Sequence, residues 1–304
     1  MSVSARMGES APAGGLGLRG RNYARQYWPF VVPAGFIVAA VIVFPWVFTL
    51  YMSVHEWHIG GGVTWAGLAN YQRLLTDDRF QYAVLRTLYF TSLAVLLPMV
   101  LGIAAAVCFH RNFPLRGIAR TIFILPMMAT PVAIALVWTM MFHPQLGVLN
   151  YLLTSVGLPP SSWSYDASTV IPTLVLVETW QWTPLVMLIV LGGLASLPTD
   201  PYEAARLDGA SGWQMFRHIS LPLVWPHIIV ALVIRTIDAL KAFDLIFVIS
   251  NGGPGTASET LNIYLYLEAF SFYDMGYASA LVVVFFVIIL LISLVLFGMR
   301  QRAY

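Results

Sequence analysis

An all-α membrane protein of six transmembrane helices is the fold this sequence predicts. Three observations carry that expectation: a composition too apolar for water, apolar runs of membrane-spanning length, and an uneven placement of arginine. Of 304 residues, 59% are hydrophobic and only 10% charged, whereas a soluble domain carries about 25% charge. A helix needs roughly 20 mainly apolar residues to cross a bilayer. Runs of that length occur at 30–52, 84–109, 118–142, 170–197, 223–249 and 276–299.

The elements follow in order. Residues 1–27, rich in Gly, Ser, Ala and Arg, lack a long apolar core with a small-residue cleavage site, and so read as a flexible cytoplasmic tail. One set of span ends carries Arg6, Arg19, Arg21 and Arg25, then Arg111, Arg116 and Arg120, then Arg206 and Arg217, then Arg300 and Arg302. The opposite loops carry Arg73, Arg79 and Arg86. Basic residues concentrate on the cytoplasmic side, so both termini and the loop between spans four and five are expected there. Pro33 and Pro45 fall in span one, Pro98 in span two, Pro126 and Pro131 in span three, and Pro172 and Pro184 in span four. Each frees a backbone carbonyl that the protein or a watered cavity must satisfy. These prolines read either as ordinary membrane-helix prolines or as kinks around a pathway. The stretch 126–131, which holds Met127 and Thr130 between two prolines, favours the second reading.

Span four contains Glu178-Thr-Trp180-Gln181-Trp182-Thr-Pro184. A carboxylate and an amide in an apolar helix are costly unless they face a cavity or a partner. Indole rings offer flat faces on which sugars stack, and their N–H groups donate. The set suits a carbohydrate site; an interfacial aromatic belt is the plainer alternative. Span five places Arg235, Asp238, Lys241 and Asp244 three apart, so successive side chains of opposite sign are helix neighbours. Unpaired, each would oppose insertion by about 2.5–3.5 kcal/mol, so pairing along the helix is expected. The row reads as a buried self-neutralising ladder, as a stripe that offers hydrogen bonds to substrate hydroxyls, or as both.

Between these spans the stretch 203–222 reads EAARLDGASGWQMFRHISLP. Ala204 and Ala205 let a short helix be approached closely, Gly209 supplies a turn that a Cβ would resist, and Pro222 and Pro226 suit the start of the next helix. The stretch resembles, position for position, the EAA signature of bacterial ABC importer permeases. In that family the loop is a coupling helix that enters a groove of the ATPase subunit. The resemblance implies the type I ABC importer permease fold, with a permease domain over 28–304, a core of five spans over about 84–299 and a coupling loop at 198–222. It assigns coupling to Glu203, Ala204, Ala205, Asp208, Gly209, Ile219, Leu221 and Pro222. Ser250-Asn-Gly-Gly-Pro254 and Thr260 resemble the Gly-Gly-Pro loop of maltose-type carbohydrate permeases, which narrows the family to its sugar branch.

By that resemblance Glu178, Trp180, Gln181, Trp182 and Leu185 fall on or beside substrate-contacting positions. Gln181 and Trp182 depart from the maltose pattern, so the identity of the sugar does not carry over. Met127, Thr130, Asp238, Lys241 and Asp244 complete the expected substrate-binding set. The implied complex contains a second homologous permease subunit, two ATP-binding-cassette ATPase subunits that hold ATP and Mg, and an extracytoplasmic sugar-binding protein. It sits among the lipids of the bacterial inner membrane. A sugar or polyol substrate is expected, a neutral one first, because two aspartates offset the cations of span five.

Other chemistry finds little support. Lys241 is the sole lysine and no Gly-Lys-Ser/Thr occurs, so the chain has no phosphate loop of its own. No catalytic residue and no cofactor are expected. Cys108 is the single cysteine, and it excludes an internal disulfide. His55-Glu56-x-His58 lacks a further ligand and reads as an interfacial loop rather than a metal site. The arginines are accounted for by topology, so nucleic acid is not a predicted partner. An ion-driven secondary carrier is the alternative function; it should show repeated halves or a lone functional carboxylate.

Overall fold

The computed structural model describes the backbone of residues 20–57 and 60–301. Most of the expected tail, the basic positions Arg6, Arg19 and Arg302, and His58 lie outside the described residues. Helix α1 (Gly20–Ser53) starts inside the stretch read as tail. Residues 20–27 contain Arg, Ala and Gln and no proline, so helical propensity carries the first span back beyond its apolar run. Up to Thr49 this helix forms a unit of its own, and the chain from Leu50 forms the other.

The second unit opens with a short antiparallel pair, β1 (His55–Glu56) and β2 (Thr64–Trp65). Helix α2 (Ala69–Thr76) leads into the long α3 (Asp78–His110), whose N-cap is Asp77. The Asp77 carboxylate accepts the backbone N–H of Arg79 at 2.9 Å and of Phe80 at 3.3 Å. Helices α4 (Arg116–Met128) and α5 (Pro131–Met141) follow at a mutual bend of 96°. The single span expected over 118–142 is therefore two pieces. Proline drives the preceding residue out of the helical region, and Ala129 and Thr130 are both extended before Pro131 opens α5 at its first turn.

Helix α6 (Val148–Ser155) and a 3₁₀ turn at Trp163–Tyr165 connect to α7 (Val170–Ala195). Helix α8 (Asp200–Leu207) and the short α9 (Gly212–Met215) come next. A π turn at Phe216–Ser220 makes α9 continuous with α10 (Leu221–Leu240). The helix then stops. Lys241 caps it, and α11 (Asp244–Ser250) begins anew after Phe243. The unbroken span expected over 223–249 is corrected in this way. Helices α12 (Leu261–Phe270) and α13 (Met275–Gln301) close the chain. Among the described residues five helices are long and apolar enough to cross a membrane, and the bent α4–α5 pair provides the sixth segment when it counts as one span.

Helix α7 is the centre. It buries Val170, Val177, Val186, Met187 and Val190 completely, as a helix enclosed by neighbours should, and it carries the buried polar groups of Glu178 and Gln181 as well. Two glycine contacts set its spacing. A Cβ on Gly102 of α3 would lie 2.6 Å from the Val186 Cβ, and one on Gly193 would lie 2.7 Å from Val224 Cγ2 of α10. Missing side chains thus let both neighbours approach α7 at backbone distance. Glu178 and Gly193 of α7 meet Arg235 and Val224 respectively, so α7 and α10 run antiparallel.

At the end of the bundle one crossing away from the 198–222 loop, charged pairs tie the start of α3 to the segment around α12. Arg79 donates from Nε and Nη2 to both Glu259 carboxylate oxygens at 2.8 and 2.7 Å, and Arg73 donates to Asp274 at 2.7 Å. The hydroxyls of Tyr264 and Tyr277 both donate to Asp77. Burial pushes the Asp77 carboxyl up, but these hydroxyls and the cap N–H groups outweigh it and hold the group below the usual carboxylate range. In the adjoining loop Gly252 has φ +84°, and a Cβ there would meet Ile263 at 3.0 Å.

Candidate translocation pocket and coupling loop

The breaks in spans three and five meet at one polar pocket. Pro131 from the start of α5, Glu178, Gln181 and Trp182 from α7, Arg235 and Asp238 from α10, Lys241 from the break and Asp244 from the first turn of α11 all line it. Its volume is about 140 Å³. Arg235, 1% exposed, occupies the inner wall. Its Nη2 donates to Glu178 at 3.1 Å and to the Ala94 carbonyl of α3 at 3.2 Å, and its guanidinium lies 5.1 Å from the centre of the Trp182 ring.

This arrangement corrects the expected ladder. Arg235 pairs across to α7, not along its own helix, and the side chains of Asp238, Lys241 and Asp244 make no ion pair or hydrogen bond among the described residues. Because α10 ends at Leu240, Asp244 is no longer three residues along the same helix from Lys241. The partnership of Arg235 with Glu178 had a signal in the sequence: two opposite intramembrane charges on neighbouring spans, each costly alone.

Gln181 is 1% exposed, and among the described residues neither its Nε2 nor its Oε1 has a hydrogen-bond partner; the Nε of Arg235 is also unpartnered there. An unpaired buried amide costs free energy that native proteins rarely leave uncompensated.

Trp180 and Trp182 do not act together. Two residues turn a helix by about 200°, so they face opposite sides of α7. Trp180 stands edge-on to Trp138 at 5.5 Å and lines a separate apolar cavity of about 540 Å³ with Phe123, Pro126, Thr179 and Thr183. Met127 and Leu185 line neither cavity, and Thr130 caps α5 just before Pro131.

The 198–222 loop is a helix, a turn and a helix. Helix α8 carries Glu203, Ala204 and Ala205 and is capped by Asp208; Gly209 then takes φ +77°, the left-handed conformation that favours glycine. Ser211 and Gln214 form a reciprocal capping box that starts α9. The Tyr202 hydroxyl lies 2.9 Å from Ser220 Oγ and ties α8 to the π turn. Ala205, Asp208, Gly209, Met215, His218 and Ile219 line a shallow groove, while Leu221 is half-buried and Pro222 exposed. Leu207 is 90% exposed and Trp213 66%, two large apolar side chains with little of this chain to cover them. Among the described residues no group of three or more His, Cys, Asp or Glu side chains could hold a metal.

Comparison with known proteins is consistent with this geometry. Residues 99–302 match the family described as "Binding-protein-dependent transport system inner membrane component". A probable ABC transporter permease protein of Sinorhizobium fredii is 34% identical over 94% of each chain. The trehalose/maltose transport system permease protein MalF of Thermococcus litoralis is 34% identical over 90% of this chain and 92% of its own. Among solved structures, a bacterial ABC transporter involved in import of the acidic polysaccharide alginate has a chain that superposes with a TM-score of 0.82. It is 23% identical over 93% of this chain and 99% of that one, a likeness of fold.

Proposed function

Because the chain belongs to the family of binding-protein-dependent transport system inner membrane components, we propose that it is the permease subunit of an ATP-driven importer of a sugar or polyol. The observation that carries this reading is the continuity of α9, the π turn and α10, which joins the EAA loop at one end to the polar pocket at the other. The name of the Thermococcus relative supports a sugar as substrate. The family assignment also sets aside the ion-driven carrier.

In this reading both termini and the EAA loop face the cytoplasm. Two ATPase subunits, which hold ATP and Mg, receive the loop; exposed Leu207 and Trp213 are the apolar side chains that such docking would cover. An extracytoplasmic binding protein delivers the substrate. A pocket of about 140 Å³ falls short of the roughly 300–1,000 Å³ of small-molecule sites, so this chain supplies one wall and a second permease subunit supplies the rest. Closure of the ATPase dimer displaces α8 and α9. Helix α10 carries that displacement as a rigid body to its end at Lys241, where it changes access to the pocket.

The test is uptake by the assembled importer with Gly209→Val or Glu203→Lys. No atom lies near a Cβ on Gly209, so valine fits in space and acts through backbone strain alone. Glu203→Lys reverses charge on an exposed docking face. Both variants should stay in the membrane and lose uptake. Normal uptake by both would overturn the coupling role.

A further inference from the structure

The charge balance of the pocket changes once Arg235 is assigned. Three carboxylates and two cations line it. Arg235 is buried against Glu178 and neutralises it, so Lys241 alone faces Asp238 and Asp244. The open part of the site carries an excess negative charge. Deeper in, the Gln181 carboxamide is 1% exposed with both polar atoms unpartnered, beside the unpartnered Nε of Arg235. An amide offers a donor and an acceptor side by side, which matches two neighbouring hydroxyls, each able to give and accept.

We infer that this pocket selects uncharged polyhydroxy ligands: the Gln181 carboxamide binds a pair of adjacent hydroxyls, and Asp238 with Asp244 repels acidic sugars. The inference rests on the sugar-importer reading above. A hydroxyl pair satisfies the amide without adding charge. A uronate or sugar phosphate entering the same space meets two carboxylates for one ammonium, in surroundings where like charges interact far more strongly than in water. Lys241 is therefore the group whose removal should sharpen the rejection.

The test uses the complete importer in lipid nanodiscs and equilibrium dialysis. The probes are radiolabelled trehalose, maltose and cellobiose, each with its counterpart in which one hydroxymethyl group is a carboxylate. The best-bound neutral sugar should exceed its uronate by at least about tenfold. Gln181→Ala should weaken the neutral sugar about tenfold, as expected for a buried amide that loses its hydroxyl partners. Asp238→Asn with Asp244→Asn should bring the uronate to within about threefold of the neutral sugar, and Lys241→Gln should widen the gap. Thermal melting of each variant separates a misfolded complex from one with altered selectivity, and Lys241→Gln tests the same charge from the opposite direction. Equal binding of neutral sugar and uronate by the parent complex would overturn the charge filter while leaving the sugar reading in place. Unchanged neutral-sugar binding by a folded Gln181→Ala complex would overturn the role of the amide. Failure of every sugar to bind a complex that hydrolyses ATP would remove the sugar reading itself, and this inference with it.

Discussion

Charges are treated in opposite ways at the latch around α12 and in the pocket beside α7. At the latch, Arg73 meets Asp274, Arg79 meets Glu259 with two hydrogen bonds, and Asp77 accepts from two tyrosine hydroxyls and two backbone N–H groups. In the pocket, Arg235 and Glu178 are matched, but among the described residues Asp238, Lys241 and Asp244 are not. The matched groups are deep or at helix ends, where an unpaired charge would undermine folding. The unmatched ones border open space, where water or a ligand satisfies them. Matched charge marks the scaffold in this protein, and under the proposed function unmatched charge lies where a substrate would act.

The comparison breaks most visibly if Arg235 is removed. Arg235→Met leaves the buried Glu178 without a partner, which should cost about 3–5 kcal/mol and sharply lower the yield and melting temperature of the purified subunit. Adding Glu178→Leu should recover much of that loss, because removing both charges leaves no buried ion. A melting temperature unchanged by Arg235→Met would remove this pair from the scaffold.

Arg79→Ala should have a smaller effect, about 2 kcal/mol, the scale of hydrogen bonds to a charged group, because the arginine is one-third exposed while Glu259 is buried. Thermal melting again reads it. The same latch gives a pH signature. The Asp77 carboxyl lies below its ordinary value of 3.8 in the folded chain, so its contribution is fully present above that value and is lost as pH falls through the lowered one. The destabilisation caused by Asp77→Asn should thus be constant at higher pH and shrink toward zero in strong acid. A penalty that grew with acidity would have the wrong sign.

Much of this division is written in the chain. Composition, the lengths of the apolar runs and the EAA spacing lead to the helical bundle and its loop, and Pro131 marks the break in span three. The break in span five has no such mark. Ala239-Leu-Lys-Ala-Phe-Asp244 contains neither proline nor glycine, so tertiary packing overrides a sequence that local preferences would let continue. A ladder drawn on an unbroken helix therefore paired the wrong groups. The separation of Trp180 from Trp182 follows from helical geometry alone. The pairing of Glu178 with Arg235 requires knowing that α7 and α10 run antiparallel at the register fixed by Gly193. The helix at 20–27 escaped notice because polar residues there hide the backbone's continuity.

Lys241→Gln tests most directly the claim that unmatched charge serves transport and not folding. Lys241 is exposed and makes no ion pair among the described residues, so its loss should change stability by no more than about 0.5 kcal/mol, as for other surface substitutions. Uptake by the assembled importer, measured beside thermal melting of the same preparation, should fall at least about tenfold if the ammonium touches substrate hydroxyls, a loss on the scale of one charge-assisted hydrogen bond. A melting temperature that drops while the surviving complexes transport at the normal rate would contradict the account, because Lys241 would then belong to the scaffold.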